Sequence, residues 1–293
     1  MGVFQEIQGL QVCDDFPLRG ARILPAFAAL FLMSCGAPES ANRDGSSPAS
    51  LSKEALYQTG HRLYATGNYD SAAVVLQRAV ALDSTYGDAL TELGLLHYDL
   101  AMVERSAQSK TKVKNLRQSL NYLARAEALG TSDAAVYERL CEVAVALNDD
   151  RSFLRYAKKD AERFPFDRQY YNLGLAYFNA GEYPNVVKCQ KEATVKFQNS
   201  PYLGAYYRQM GRAYMKQDRD QTAQRILEAG LQAVDGLLAV EHKGKNPPAD
   251  RLKRLSEDRT AILQLLRRLY QTYHVDDKLR DTERLLNEAG AMR

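Results

Sequence analysis

Two distant stretches of this chain share one outline. Residues 55–83 read ALYQTGHRLYATGNYDSAAVVLQRAVALD, and residues 169–197 read QYYNLGLAYFNAGEYPNVVKCQKEATVKF. Each places a Gly inside a helical pattern (Gly60, Gly174) and a large apolar or aromatic residue three later (Leu63, Tyr177). A Gly-x-Tyr turn follows, then a second helical pattern with an Ala near its end (Ala79, Ala193). Such self-similarity constrains the fold more than any single motif, because a unit that cannot cover its own apolar stripe must stack on neighbours of the same kind. The nine Pro, scattered through 293 residues, agree with helices rather than a Gly/Pro-punctuated β fold.

The residues that carry the outline are Leu56, Gly60, Leu63, Gly67, Tyr69, Ala72, Leu76 and Ala79 in the first unit. In the later one they are Tyr170, Leu173, Gly174, Tyr177, Gly181, Tyr183 and Ala193, with Pro184 suited to the first turn of a helix. This pattern resembles the tetratricopeptide repeat (TPR), a helix–turn–helix unit of 34 residues. Leu90, Leu93 and Gly94 open a second unit whose second helix is delayed by extra residues to Leu120, Leu123 and Ala126. Tyr137, Leu140 and Cys141 open a third, and Tyr207, Met210, Gly211, Tyr214, Ala223 and Leu227 form a fifth. Leu263, Leu266, Tyr270, Leu279 and Leu286 look like a degraded sixth, with Arg267 where a small residue belongs. The resemblance implies an all-α chain, a right-handed superhelix of about five to six repeats over 53–293. An insertion is expected near 103–114 and a loop near 242–250.

Gly inside a helix costs about 1 kcal/mol relative to Ala. Its return at one register, at Gly60, Gly94, Gly174 and Gly211, therefore predicts close helix–helix contact there. The resemblance also implies a concave groove lined by the first helix of each pair. The register gives it Tyr57, His61 and Tyr64, then Leu95, Tyr98 and Asp99, then Glu138 and Glu142. Tyr171, Leu175, Phe178 and Asn179 follow, then Arg208, Arg212, Met215 and Lys216, and Arg268 in the sixth unit. The expected ligand is an extended or helical peptide. Its apolar part would lie on Tyr64, Tyr98 and Phe178, and its acidic part or C-terminal carboxylate would meet Arg208 and Arg212. The Lys/Asn signature of carboxylate-clamp TPR domains is not reproduced. The alternative expectation is that the terminal helix, 277–290, folds back over these aromatics.

The first 52 residues follow another logic. Arg19 and Arg22 precede an apolar run, 23–33, too short to span a bilayer comfortably. A basic flank, a short apolar core and a small-residue end describe a secretory signal peptide over 1–34. Its end, Leu32-Met33-Ser34-Cys35, resembles the lipobox of bacterial lipoprotein precursors. That resemblance implies cleavage before Cys35 and acylation of it, and Gly36 is compatible with an outer-membrane destination. The alternative is a buried helix whose Cys is incidental. Glu6, Asp14 and Asp15 suit a signal n-region poorly, so residues 1–17, with Cys13, point to a start set too far upstream. Residues 35–52, rich in Ser, Ala and Pro and without apolar periodicity, read as a tether.

The chain offers an enzyme little to work with. It has no HExxH, GxSxG, phosphate loop or CxxC, and His61, His97, His242 and His274 never fall four apart. No cofactor or metal site is expected. Asp149-Asp150 and Asp276-Asp277 read as turn residues. Cys141 reads as a packed thiol and Cys189 as partly exposed, with a disulfide between them left open. A net charge of +3 gives no support to nucleic-acid binding over the whole surface. Two basic segments stand out: Arg105, Lys110, Lys112 and Lys114, and Lys243, Lys245, Arg251, Lys253 and Arg254. They read either as contacts for anionic headgroups or another polyanion, or as solvated faces. The combination resembles bacterial outer-membrane TPR lipoproteins, a class that includes pilotins for pilus secretins and adaptors for peptidoglycan enzymes. The expectation is a membrane-tethered adaptor for a protein or peptide partner. The alternative is a binder of an anionic envelope polymer or of lipid headgroups. No residue decides the oligomeric state.

Overall fold

The computed structural model describes residues 51–104, 106, 109–130, 133–244 and 248–291. The expected signal peptide, Cys35 and nearly all of the expected tether lie outside the described residues. Twelve helices and no strand are found among the described residues. They pair in chain order: α1 (Lys53–Ala65) with α2 (Tyr69–Leu82), α3 (Gly87–Val103) with α4 (Lys110–Ala128), and α5 (Ala134–Ala146) with α6 (Asp150–Arg163). The other three pairs are α7 (Asp167–Asn179) with α8 (Tyr183–Lys196), α9 (Leu203–Met215) with α10 (Asp220–Lys243), and α11 (Ala249–Thr272) with α12 (Asp276–Ala291). The six hairpins are the five to six helix–turn–helix repeats that the sequence predicts.

Five of the six hairpins close in the same way. A residue with positive φ follows each first helix: Gly67, Asn148, Gly181, Asp218 and His274. The next N–H then reaches back to the last turn, Asn68 to the Leu63 carbonyl, Asp149 to Ala144, Glu182 to Tyr177, Arg219 to Tyr214 and Val275 to Tyr270. This is the Schellman closure, which satisfies carbonyls that a helix end leaves open. The following residue starts the second helix, and Asp149 also caps it, its Oδ1 accepting from the Ser152 N–H at 3.0 Å. Asp149 is thus a turn residue, as expected, and a helix cap as well.

Seven residues before each of these turns lies the small position: Gly60, Cys141, Gly174 and Gly211. A methyl group at Gly60 would stand 2.5 Å from Leu76 Cγ, and one at Gly211 would stand 2.6 Å from Leu227. Gly94 faces Leu123 in the same way at 2.5 Å. The predicted close contact therefore falls between the two helices of one hairpin. Arg267, at the matching position of α11, is exposed.

Three hairpins depart from the common size. The insertion expected near 103–114 does not form a long loop: Val103 ends α3, and Lys110, Lys112 and Lys114 already belong to α4. At the other end α10 and α11 are each 24 residues long and meet across 244–248. Cys189 is buried, at 7% exposure, rather than partly exposed, because it turns inward toward Tyr170 and Tyr206. It and Cys141 are free thiols in separate clusters.

Candidate functional site

The first helices form a row in which α1 meets α3, α3 meets α5, α7 meets α9 and α9 meets α11, while α5 and α7 are joined by side chains. Side chains cross each joint as rungs. Tyr57 lies with its ring centroid 5.4 Å from that of Tyr86, beside His61. His61 Nδ1 stands 2.6 Å from Glu92 Oε1, and the Tyr64 hydroxyl donates to Asp99 at 2.5 Å. Burial and that carboxylate push the Tyr64 phenol well above its usual range, so it remains a donor. Tyr98 sits under the Arg139 guanidinium at 3.9 Å, and burial, with Glu142 beside it, pushes its phenol up to about 12. Arg168 then carries the row onward by pairing with Glu138 at 2.5 Å and approaching Glu142 at 4.0 Å.

The second half of the row is aromatic and cationic. Tyr171 packs on Tyr202 at 5.1 Å between centroids, and Tyr202 in turn lies under Arg254 at 4.5 Å. Phe178 lies under Arg212 at 4.3 Å and meets Tyr183 edge-on. Asn179 ends α7 and Lys216 caps α9, both exposed. Arg208 behaves differently from the expected open clamp. Its Nη2 pairs with Asp258 Oδ1 at 3.0 Å, with side-chain exposures of 14% and 7%. The pair locks α9 to α11 and spends the Arg208 charge inside the chain.

Each expected groove residue is thus placed on the row, but they are not equivalent. Leu95 and Leu175 are half-buried against the cluster that holds Leu123, Leu140 and Phe153. Met215 is half-buried against the cluster of α10 and α11, and Arg268 is exposed on α11. Glu92, Arg139, Arg168, Tyr202, Arg254 and Asp258 were not anticipated from the register. The signal for some of them is separation by about one repeat, 31 residues for His61 and Glu92, 35 for Tyr64 and Asp99, and 30 for Glu138 and Arg168. The helix α12 packs on α11 and does not fold back along the row. Lys278 reaches Glu228 at 2.6 Å, and Tyr273 at the turn donates to Asp220 at 2.7 Å.

Several buried side chains carry a polar atom without a hydrogen-bond partner, His97 and Asp160 among them. His97 stacks flat on Tyr122 at 5.6 Å, with Nδ1 3.3 Å from Asn115 and Nε2 unpartnered. Burial lowers its pKa, so it is neutral there. Asp160, fully buried in α6, has no hydrogen-bond donor on either oxygen, and burial pushes its pKa up to about 7. No group of three His, Cys, Asp or Glu side chains close enough to hold a metal ion occurs among the described residues. None of the described helices is long and apolar enough to cross a membrane.

The TPR repeat family matches the chain over residues 60–100. No curated protein matches by sequence. Among solved structures, the chain resembles YrrB, described as a TPR protein with an unusual peptide-binding site. Identity there is 14%, the TM-score is 0.50, and 63% of this chain and 88% of that one are covered. MamA is similar at 15% identity and TM-score 0.50, over 67% of this chain and 97% of that one. A chain of the Naa15/Naa10 complex bound to HypK-THB matches at 13% identity and TM-score 0.52, over 80% of this chain and 31% of that one. At such identities the likeness speaks for the fold, and on its fold the described chain is a TPR helical solenoid.

Proposed function

We propose that this chain is a membrane-tethered adaptor that holds a protein or peptide partner along its row of first helices. The observation that carries the reading is the set of half-buried aromatics spaced along that row, Tyr64, Tyr98, Tyr171 and Phe178, each fixed by a rung to the next repeat. Rigid rings give contact area at small entropic cost. YrrB, with its own peptide-binding site, supports peptide capture as a use of this fold. The partner's apolar side chains would lie on those rings, and its carboxylate would meet Lys216 and the Arg212 guanidinium that lies over Phe178. The anchor would be the acylated Cys35, on the strength of Leu32-Met33-Ser34-Cys35 behind its basic flank, with the cell envelope as location. Each buried CH₂ of such an anchor contributes about 0.8 kcal/mol.

The test has two arms. Intact mass of the mature protein from a bacterial host should show a chain that starts at an acylated Cys35, and Cys35→Ser should move it to the soluble fraction. An unmodified Cys35 ends the anchor reading. Cross-linking and pull-down from the native membrane should then yield a partner retained at high salt. Its capture should fall at least tenfold for Tyr98→Ala and for Arg212→Glu with Lys216→Glu. Undiminished capture by both variants would remove the row as the binding face.

A further inference from the structure

We infer that the tip of the α3–α4 hairpin is a second, independent contact site, for an anionic lipid surface. The hairpin stands out from its neighbours. α3 and α4 have 17 and 19 residues, where α1, α2, α5 and α6 have 13, 14, 13 and 14. Gly94 faces Leu123 as Gly60 faces Leu76, so the added length falls at the tip. It extends about one helical turn, roughly 5 Å, beyond the adjacent hairpins.

What the tip carries is mainly cationic, against the single acid Glu104 that caps α3 and accepts from the Ser106 N–H at 3.5 Å. Lys110, Lys114, Arg117 and Asn121 are exposed and fall at helical spacing, so they form one stripe along α4. The three cations make no hydrogen bond or ion pair among the described residues. The one acid of α4, Glu127, lies at the far end of the helix and is engaged by Lys159 at 2.5 Å. A shallow recess of about 570 Å³ runs along the stripe, with Val113 in its wall. Val103, at the end of α3, is 71% exposed. Lys112 points back, its Nζ 3.4 Å from the Glu104 carbonyl, and ties the two helix ends together.

The other basic segment provides the contrast. Arg251 pairs with Glu241 at 2.6 Å, Lys253 approaches Glu257 at 3.9 Å and Arg254 lies over Tyr202. Those charges serve the chain itself, whereas three like charges on adjacent turns of α4 repel one another and gain from an external anion. A protruding tip with the exposed Val103 beside unpaired cations suits a flat, negatively charged surface, where each Lys or Arg adds to binding and salt weakens it. A narrow acidic peptide would more naturally seat in a concave face than on a projecting edge.

The experiment uses the full chain with Cys35→Ser, which removes any acyl anchor, and co-sedimentation with vesicles. One vesicle set is phosphatidylcholine alone, and the other is phosphatidylcholine with phosphatidylglycerol. Binding through the apolar run 23–33 would be common to both sets, so the anionic excess is the quantity read. The expected result is an anionic excess at low salt that collapses at high salt. It should weaken roughly fivefold for each cation removed in the series Lys110→Gln, Lys114→Gln and Arg117→Gln. Lys243→Gln with Lys253→Gln should leave it unchanged. Helicity by circular dichroism verifies that the variants are folded, which exposed Lys→Gln changes on a helix permit. No anionic excess, or an excess that the α4 series leaves intact, overturns the inference. Binding to soluble polyglutamate without any anionic excess on vesicles also overturns it and assigns the stripe to an acidic macromolecule. Partner capture by the row of first helices is read separately and does not depend on these outcomes.

Discussion

A methyl group at Gly174 would run into the Gln190 and Gln209 side chains. These two amides are hydrogen-bonded to each other at 2.8 Å, and Gln190 also donates to the Tyr170 carbonyl at 3.0 Å. The position therefore joins α7, α8 and α9 at one polar point inside an apolar stack. Gly174→Ala gains up to about 1 kcal/mol of helix propensity, but it breaks a buried network and should be destabilising by about 1–3 kcal/mol net. Gly236, on the exposed side of α10 with open space around it, is the control. Gly236→Ala should stabilise by about 0.5–1 kcal/mol. Urea unfolding of the two variants checks both signs. Asp160 gives a second residue-scale prediction. Around it lie Gln169 and Arg168, which act against its raised pKa, and Glu138 and the Cys141 thiol, which do not. Because the folded pKa stands above the ordinary value of 3.8, the native state binds the extra proton. This contribution to stability is present below about pH 4 and is lost as pH rises toward 7. Asp160→Asn should flatten that decline and raise stability at pH 8 by about 1–3 kcal/mol. Denaturation midpoints from pH 4 to 8 measure it, and a slope unchanged from the parent would reject the buried-acid account.

At the scale of the helix pair, the turn is the repeated device. Gly67 and Gly181 take their positive φ freely, whereas His274 pays the steric cost of an L side chain in the left-handed region. His274→Gly should therefore stabilise the chain, and Gly181→Ala destabilise it, each by about 1 kcal/mol. Thermal melts of the two variants are the measurement. The same turns explain what could be read from sequence. Gly67 and Gly181 announce themselves, and they fix the register of Gly60 and Gly174 seven residues earlier. Asn148, Asp218 and His274 do the same work with other residue types, so the third, fifth and sixth units are fainter to the eye. The growth of α3 and α4 into their insertion was not legible, because Lys, Thr, Arg and Gln suit an exposed helix and a polar loop alike. The pairing of Arg208 with Asp258 was hidden for a different reason. Asp258 lies well inside the long helix α11, ahead of the sixth unit's recognisable pattern, and so falls outside any register.

For the molecule as a whole, each hairpin is covered by its neighbours, and stability is a sum of such joints. The terminal helix α12 packs on α11 and reaches α10 through Lys278 and Glu228, and most of its side chains are exposed. Amide hydrogen exchange should accordingly be fastest in α12 among the helices and slowest in α9 and α10. There Gly204 stands against Asp258 and Val234, and Gly230 against Tyr207. Uniform exchange along the chain would contradict this gradient. The rungs between first helices have one further consequence, which concerns synthesis. His61 waits 31 residues for Glu92, Tyr64 waits 35 for Asp99, and Glu138 waits 30 for Arg168. Helices that pack together are one or two apart in chain order. A ribosome adding roughly 5–20 residues per second supplies each missing partner within seconds. Every hairpin can dock as soon as the next one emerges, and no exposed apolar stripe has to wait for the end of translation.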